Sequence, residues 1–117
     1  MTTLIEDLQA LLDPLAAGGC TYIINTDEPP VVPYITFQFI VSTTNNSLAG
    51  ASDLQNTRVQ IDIFAQGPSD MVSISAALES AMAGASFTNV QLSQQDLYED
   101  PVRLFRRMYD YSVWSKN

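Results

Sequence analysis

Clustered carboxylates are the side chains of this sequence that come closest to a catalytic or metal-binding set. Asp27 and Glu28 are adjacent, and Asp96 precedes Glu99 and Asp100 by a few residues. Such groups could act as an acid–base pair or bind a hard cation such as calcium. Neither cluster has the spacing of a calcium-binding loop, and both fall where turns are expected. We therefore favour solvated acids over a working carboxylate pair.

Other kinds of site chemistry are excluded by residues that the sequence lacks. The 117 residues include no histidine and one cysteine, Cys20. A Ser-His or Cys-His nucleophile and a zinc site are therefore ruled out. No phosphate-binding glycine motif is present, and Asp70 already fills the positive end of a predicted helix after Gly67. We predict no catalytic residue, no metal and no cofactor, and a reduced, buried Cys20.

The net charge of −8 excludes the basic patch that a nucleic-acid-binding protein needs. An acidic surface would instead repel DNA and leave a passing duplex mobile. With 46% hydrophobic residues the chain can bury a core, and its length predicts a single domain over residues 1–117. No apolar run is long enough to span a bilayer, and the first residues lack the basic region of a signal peptide.

Three of the five basic residues, Arg103, Arg106 and Arg107, lie in the last predicted strand. They could contact DNA, but in so acidic a chain we favour pairing with the acids of a partner. Asp62 and Asp110 also lie in the middle of predicted strands. Each shares a strand face with an arginine, so cross-strand ion pairs follow if the two strands are neighbours. Such pairs would be either structural or part of a contact between subunits.

These side chains must be positioned by a strand, a tight connection and a helix, which we predict within Asn56–Gly84. Apolar side chains alternate along the strand, as on a half-buried sheet. Gly67 and Pro68 end the strand, and Ser69 is the predicted helix N-cap. Apolar residues then recur at helical spacing, and Gly84 is the predicted stop. The strand face is Val59, Ile61 and Ile63, and the helix stripe is Met71, Ile74, Leu78, Ala81 and Met82.

Similar patterns predict the remaining elements. They are a helix from Thr2 or Thr3 to about Asp13, an edge strand at Tyr22–Ile24, and strands at Tyr34–Thr44, Ser86–Leu97 and Val102–Trp114. Because short turns join most of the strands, the predicted fold is α+β. It has an antiparallel or mixed sheet of about four to five strands, with two helices packed on one face. The element order is αβββαββ.

Two features point to contacts outside a single chain. Asn45–Gln55 is polar and longer than an ordinary hairpin loop. It is either a mobile loop or an arm that becomes ordered against a neighbouring subunit. The last predicted strand carries aromatic or apolar side chains on both faces, including Phe105 and Trp114. A sheet with helices on one face would leave the other face for another copy.

Three segments together resemble a known family. NTRVQIDIFAQGPSDMVSISAALESAM, beginning at Asn56, looks like the strand–turn–helix of small tail-completion proteins of long-tailed bacteriophages. DLYEDPVRLFRRMYDYSVW, ending at Trp114, is similar to their closing segment, and PPVVPYITFQFI matches their second strand. Each motif is modest alone, but their order and spacing are specific. The similarity extends from the first helix to Trp114.

The resemblance implies a structural virion protein and not an enzyme. Members of this family form a ring, typically six-fold, that caps the tail tube and offers a surface to the head-side connector. Viral DNA passes through the lumen without specific binding. The implied partners are further copies of the chain, the major tail tube protein and a head-completion protein. The implied location is the tail or neck of the virion, after assembly in the host cytoplasm.

Two alternatives are kept open. One is another neck component, such as a head-side adaptor or stopper. The other is a small hydrolase or lyase that uses Asp27, Glu28, Asp96 or Glu99, which would require a pocket holding at least two of these acids. For the favoured function, the predicted subunit-interface residues are Arg58, Asp62, Arg103, Arg106, Arg107, Asp110, Asn45, Asn46, Leu48 and Leu54.

Overall fold

The computed structural model of the protein describes residues 3–23, 31–47, 50–99 and 104–116. Two helices and five strands follow one another in the predicted order αβββαββ. The helices are α1 (Leu4–Leu12), which continues into a 3₁₀ turn (Asp13–Leu15), and α2 (Pro68–Ala83). The strands are β1 (Cys20–Tyr22), β2 (Tyr34–Ser47), β3 (Gly50–Ala65), β4 (Thr88–Glu99) and β5 (Leu104–Lys116). The predicted α+β class is confirmed.

All five strands form one mixed sheet with the spatial order β1-β2-β3-β5-β4. β1 runs parallel to β2, and every other neighbouring pair is antiparallel. The sheet therefore ends at the short strand β1 on one side and at the long strand β4 on the other. β3 and β5 lie in the interior, where hydrogen bonds to both neighbours hold their register.

Both helices cover the same face of the sheet, as predicted. The alternating apolar residues of the strands meet the helices in one buried cluster, because period-two and period-3.6 stripes each present a single apolar face. From α2, Met71, Ile74, Leu78 and Met82 enter this cluster, whereas Ala81 is half-buried. The strands contribute Ile35, Phe37, Val59, Ile61, Ile63, Ala65, Tyr109, Tyr111 and Val113, and α1 contributes Leu8 and Leu12.

The helix starts differ in how well the sequence predicted them. Thr3 caps α1 in a reciprocal capping box with Glu6, whose backbone N–H donates to the Thr3 hydroxyl. Ser69 was predicted to cap α2, and this was wrong. The N-cap is Gly67, Pro68 occupies the first turn, and no side chain caps the helix. Proline at the first helical position needs no hydrogen-bond partner for its nitrogen, which favours this earlier start.

Two strand boundaries were also wrong. The edge strand is Cys20–Tyr22 and not Tyr22–Ile24, because Ile23 has a φ of 75° that turns the chain out of the strand. β4 continues to Glu99, so Tyr98 and Glu99 belong to the strand and not to a turn. Tyr98 pairs with Phe105 across the hairpin, at a ring distance of 5.1 Å. This aromatic contact extends the ladder past the predicted end.

The stretch Asn45–Gln55, predicted to be either a mobile loop or an arm ordered against a neighbouring subunit, continues the two strands at its described residues 45–47 and 50–55. β2 runs to Ser47, and β3 begins at Gly50, which pairs with Ser47. Pairing between β3 and β5 stops at Leu54. The last residues of this hairpin, Asn45–Ser47 and Gly50–Asp53, therefore project beyond the sheet, and we call them the arm. Polar side chains suggested a loop, but the backbone ladder does not depend on apolar side chains.

Close backbone packing surrounds the entry to β1. The N–H of Gly18 donates to the carbonyl of Pro33 at 2.8 Å, and the N–H of Ile35 donates to the carbonyl of Gly19 at 3.0 Å. Gly19 has a φ of 77°, a conformation that favours glycine. A side chain at Gly18 would lie 1.9 Å from the carbonyl oxygen of Val31. The two glycines allow the chain to pass directly beside β2.

Candidate assembly interface

The face of the sheet opposite the helices carries four of the predicted charged residues, and we call it the open face. The register places Arg106 beside Phe64 and Asp110 beside Gln60. These residues alternate with the core residues along each strand, so they point away from the helices. In the described part of the chain, neither helix lies on this side. The strand register that aligns the core residues therefore also fixes the positions of the residues on the open face.

One row of the open face is a connected set of aromatic and charged groups. Tyr34 and Phe64 stack with ring centroids 4.8 Å apart, and the Arg106 guanidinium lies 5.3 Å from the centre of the Phe64 ring. Arg106 also donates to Asp62 at 3.0 Å, and the Gln60 amide lies 3.1 Å from the same carboxylate. Asp62 is only 5% exposed. A buried carboxylate needs this cation, because removing one member of such a pair leaves an uncompensated charge.

A second ion pair joins Arg58 to Asp110 on the same face. The Arg58 side chain is 45% exposed, and the Asp110 side chain is 18% exposed. The Oδ1 atom of Asp110 is buried and accepts no hydrogen bond from the described part of the chain. An unsatisfied acceptor of this kind costs free energy, so a donor from outside the fold would stabilise it. Both predicted cross-strand pairs are thus present within one chain.

Arg107 lies on the opposite side of the sheet, beneath α2. It binds the Asp96 carboxylate through two nitrogens, at 2.7 and 3.1 Å, and donates to the Ser75 hydroxyl at 2.9 Å. Hydrogen bonds from Arg107 lower the pKa of Asp96, and Asp96 in turn raises the pKa of Arg107. Arg107 therefore ties β4 and β5 to α2, while its predicted contact with another subunit stays a prediction.

The other predicted interface residues fall into two groups. Asn45 and Asn46 lie at strand positions of β2 in the arm, and Leu54 lies in β3 at the base of the arm. Leu48 and Arg103 lie outside the described residues. The structure thus places four charged residues on one face and three residues in or beside the arm. Their role in subunit contacts remains a prediction.

A comparison with protein families decides the identity of this fold. The family described as Tail completion protein gp17 matches residues 6–116, which is nearly the whole chain. The chain belongs to this family. It is therefore a structural protein of a phage virion and not an enzyme, and the resemblance read from its motifs is confirmed.

One solved structure supports the fold of this tail completion protein. A protein in the virion of a native gene transfer agent particle aligns with a TM-score of 0.64 at 15% identity, over 96% of this chain and 90% of that one. A crystal structure from Akkermansia muciniphila aligns with a TM-score of 0.41 at 8% identity, over 68% and 41% of the two chains. No curated protein gives a significant match.

A groove that the sequence did not predict lies between the start of α2 and the end of β4. It has a volume of about 410 Å³. Val72 and Tyr98 line it and are 60% and 50% exposed. Phe105 and Leu97 complete its apolar wall, and Asp96 with Arg107 forms a charged rim. The position of Val72 in the sequence did not predict the groove, because the groove depends on the distance between a helix and an edge strand.

The structure of this tail completion protein describes only part of the predicted acid clusters. Asp27, Glu28 and Asp100 lie outside the described residues, and Asp96 is bound by Arg107. Among the residues that the structure describes, no three potential metal ligands converge. Within those same residues, neither helix has the length and apolar character to span a bilayer. The carboxylate-enzyme alternative is wrong, since the family is structural.

Proposed function

We propose that this tail completion protein forms a ring, six-fold by its family resemblance, that caps the tail tube and joins it to the head connector. Family membership supports this role. The observation that carries the ring is the open face, where ordered ion pairs and stacked aromatics lie on a sheet covered by helices on one side only. Aromatic side chains and arginines are enriched at contacts between proteins, and closed rings are a common way to cover such a face.

The open face suits contact with another copy because it is already ordered. Arg106 is held by Asp62 and Phe64, and Arg58 is held by Asp110. A partner would therefore meet fixed groups and lose less side-chain entropy on binding. We therefore keep Arg58, Asp62, Arg106 and Asp110 as the proposed contact residues.

Charge supports passage of DNA without binding. The chain has a net charge of −8. Each of the three arginines with described side chains, Arg58, Arg106 and Arg107, forms an ion pair with an aspartate. Paired guanidinium groups on an acidic protein offer little to phosphates, whose binding depends on displacing counterions with excess positive charge. A ring of such subunits would leave the duplex free to move through the lumen.

Native mass spectrometry and electron microscopy test the proposal. The purified protein, alone and with tail tubes, should give closed rings or rings seated on tube ends. Arg58→Gln with Asp110→Asn removes one pair and preserves the net charge, and we expect at least tenfold weaker association. Glu79→Gln, a change on the exposed side of α2, is the control. A protein that stays monomeric even with tube ends present would refute the ring.

Particles assembled without this protein separate the proposed function from the alternative neck role. Loss of a tail completion ring should give overlong tails or tails that do not join to heads. Loss of a head-side adaptor or stopper should instead give heads that leak DNA. Electron microscopy of both populations distinguishes these outcomes, and leaking heads with tails of normal length would favour the adaptor.

A further inference from the structure

β4 is an edge strand with unusually little protection against pairing. It lies at the end of the strand order, and every residue from Val90 to Tyr98 is exposed. Val90, Leu92 and Tyr98 are each at least 50% exposed. The twelve residues of Thr88–Glu99 include no lysine, arginine, proline or glycine. Natural edges commonly carry such residues, and the protective features here are a bulge at Leu92 and the carboxylate of Asp96, which Arg107 binds.

The opposite edge of the sheet is also open over most of its length. β1 pairs only with Ile35, Thr36 and Phe37 of β2. In the described part of the chain, the rest of β2, from Gln38 to Ser47, pairs with β3 on one side and with no strand on the other. The chain therefore carries two open edges of similar length, on opposite sides of one sheet.

We propose that the open edge of β2 in one copy adds to β4 of the next copy, which joins the two sheets edge to edge. The inference rests on the proposed ring, and it places the contact between copies at the sheet edges instead of at the open-face residues Arg58, Asp62, Arg106 and Asp110. Two different edges that meet make a head-to-tail contact, which closes into a ring when the rotation allows it. Such closure removes the edges altogether, as in a barrel.

Strand direction fits this contact. The chain of antiparallel pairs from β2 through β3 and β5 makes β4 antiparallel to β2. Rotation about the ring axis keeps the direction of each strand relative to that axis. β4 therefore meets the β2 strand of the next copy as an antiparallel neighbour. The joined sheet would continue the hydrogen-bond pattern that already connects the four long strands.

The position of β1 requires a stagger between copies. Across the sheet, Phe37 lies in the same row as Gln94. Without a shift between copies, β1 of the next copy would therefore occupy the place beside the middle of β4 where β2 has to pair. A shift of about six residues, or about 20 Å, brings Gln38 opposite Glu99 and clears β1. Over four strands, each about 4.8 Å wide, this shift gives a strand tilt of about 45°. Closed barrels have tilts near this value.

Charge allows the two edges to approach each other. Copies with a charge of −8 repel one another. The segment Ile40–Gly50, however, contains no charged residue. On the β4 side, the Asp96 carboxylate is bound by Arg107, and the other acid of the strand, Glu99, is its last residue. These two edges are therefore places where neighbouring copies can meet with little electrostatic cost.

The groove beside α2 would receive side chains from the added strand. It lies along the helix side of the last residues of β4, where Asp96 and Tyr98 form part of its wall. Strand addition commonly combines backbone hydrogen bonds with pockets that take alternate side chains. An open edge and a groove of about 410 Å³ beside it thus point to the same contact.

Disulfide trapping tests the contact. Gln95 and Thr43 become cross-strand neighbours between copies in the staggered register, so the test combines Gln95→Cys with Thr43→Cys. Mild oxidation of the double variant with tube ends should give a ladder of multimers up to the ring. Mixing the two single variants should give one crosslinked dimer. Cys20 is buried, and burial raises its pKa to about 12, so it stays silent.

The outcomes separate this inference from the proposed function. Rings without a ladder from either this pair or Thr88→Cys with Thr43→Cys would overturn edge pairing and leave the ring intact, whereas the absence of rings would overturn both. A dimer from Gln95→Cys alone would show β4 against β4 and refute the contact. A ladder from Thr88→Cys with Thr43→Cys would support the edge contact but contradict the stagger, because these positions share one row.

A charge placed on the edge gives a second test. Leu92→Lys puts a lysine on an exposed position of β4, where it should hinder strand addition. We expect at least tenfold weaker ring formation with an unchanged far-ultraviolet spectrum and melting temperature. Ala76→Lys adds the same charge to an exposed position of α2 and serves as the control. Equal ring formation by Leu92→Lys and the original protein would overturn the proposed contact.

Discussion

Arg106 and Arg107 are neighbours in sequence, yet they act on opposite faces of the sheet. Arg106 neutralises the buried carboxylate of Asp62, whereas Arg107 connects Asp96 to Ser75 of α2. Strand alternation explains this division, because successive side chains point in opposite directions. The two arginines should therefore respond differently to substitution, with the larger stability effect at the more buried pair.

Arg106→Met should destabilise the fold by about 3 kcal/mol, because it leaves the Asp62 carboxylate buried without its cation. The double variant Arg106→Met with Asp62→Asn should recover much of that loss, since no charge remains buried. Urea unfolding of both variants measures the change in the free energy of unfolding. An Arg106→Met protein as stable as the original would contradict the role of this pair.

Cys20 should be unreactive in the folded protein. Burial, with a further contribution from the Asp13 charge, raises the pKa of its thiol to about 12, so almost no thiolate exists near neutral pH. A thiol reagent at pH 8 should modify the native protein at least a hundredfold more slowly than the urea-unfolded protein. Comparable rates in the two states would show that Cys20 is accessible.

Tyr111 should make the fold sensitive to alkali. Burial raises its pKa from 10.0 to about 12, with smaller contributions from Tyr109 and Glu79. The unfolded state therefore loses the phenol proton first, and stability that is complete below pH 10 falls between pH 10 and pH 12. Urea unfolding at several pH values measures this loss. Tyr111→Phe should reduce the dependence of the free energy of unfolding on pH in this range. An unchanged dependence would contradict the role of Tyr111.

The elements of the sheet were predictable where side chains alternate. The core face of β3 was predicted from Val59, Ile61 and Ile63. The ion pairs of Asp62 and Asp110 were predicted on the condition that their strands are neighbours, and β3 and β5 are neighbours. The arm was not predictable as strand, because its polar residues carry no such alternation and backbone hydrogen bonds alone define it. The groove beside α2 depends on packing distances, which no local pattern encodes.

The passage before β1 provides a test at the level of an element. Gly18→Ala should destabilise the fold by about 2 kcal/mol or more, because the new Cβ would lie 1.9 Å from the carbonyl oxygen of Val31. Gly84→Ala is the matched control, since its Cβ would meet neighbours only at 3.7 Å and beyond. Thermal unfolding of the two variants compares them. A smaller loss for Gly18→Ala than for Gly84→Ala would refute this packing.

For the whole molecule, salt should decide how readily copies associate. Each copy has a charge of −8, so repulsion opposes the ring at low ionic strength. If uncharged edges form the contact, raising the salt from about 20 to 300 mM should strengthen association several-fold. Sedimentation measures the change. Weaker association at high salt would instead indicate ion pairs between subunits, as predicted for the arginines from sequence.

The longest strand also determines how the molecule transmits force. β3 has 16 residues, which at about 3.3 Å each span about 53 Å. The long axis of the protein is 52 Å. One continuous strand, hydrogen-bonded on both sides over most of its length, thus runs from the arm to the start of α2. Force applied along β3 would load its hydrogen bonds to both neighbouring strands in shear. We therefore expect the subunit to resist bending along its long axis.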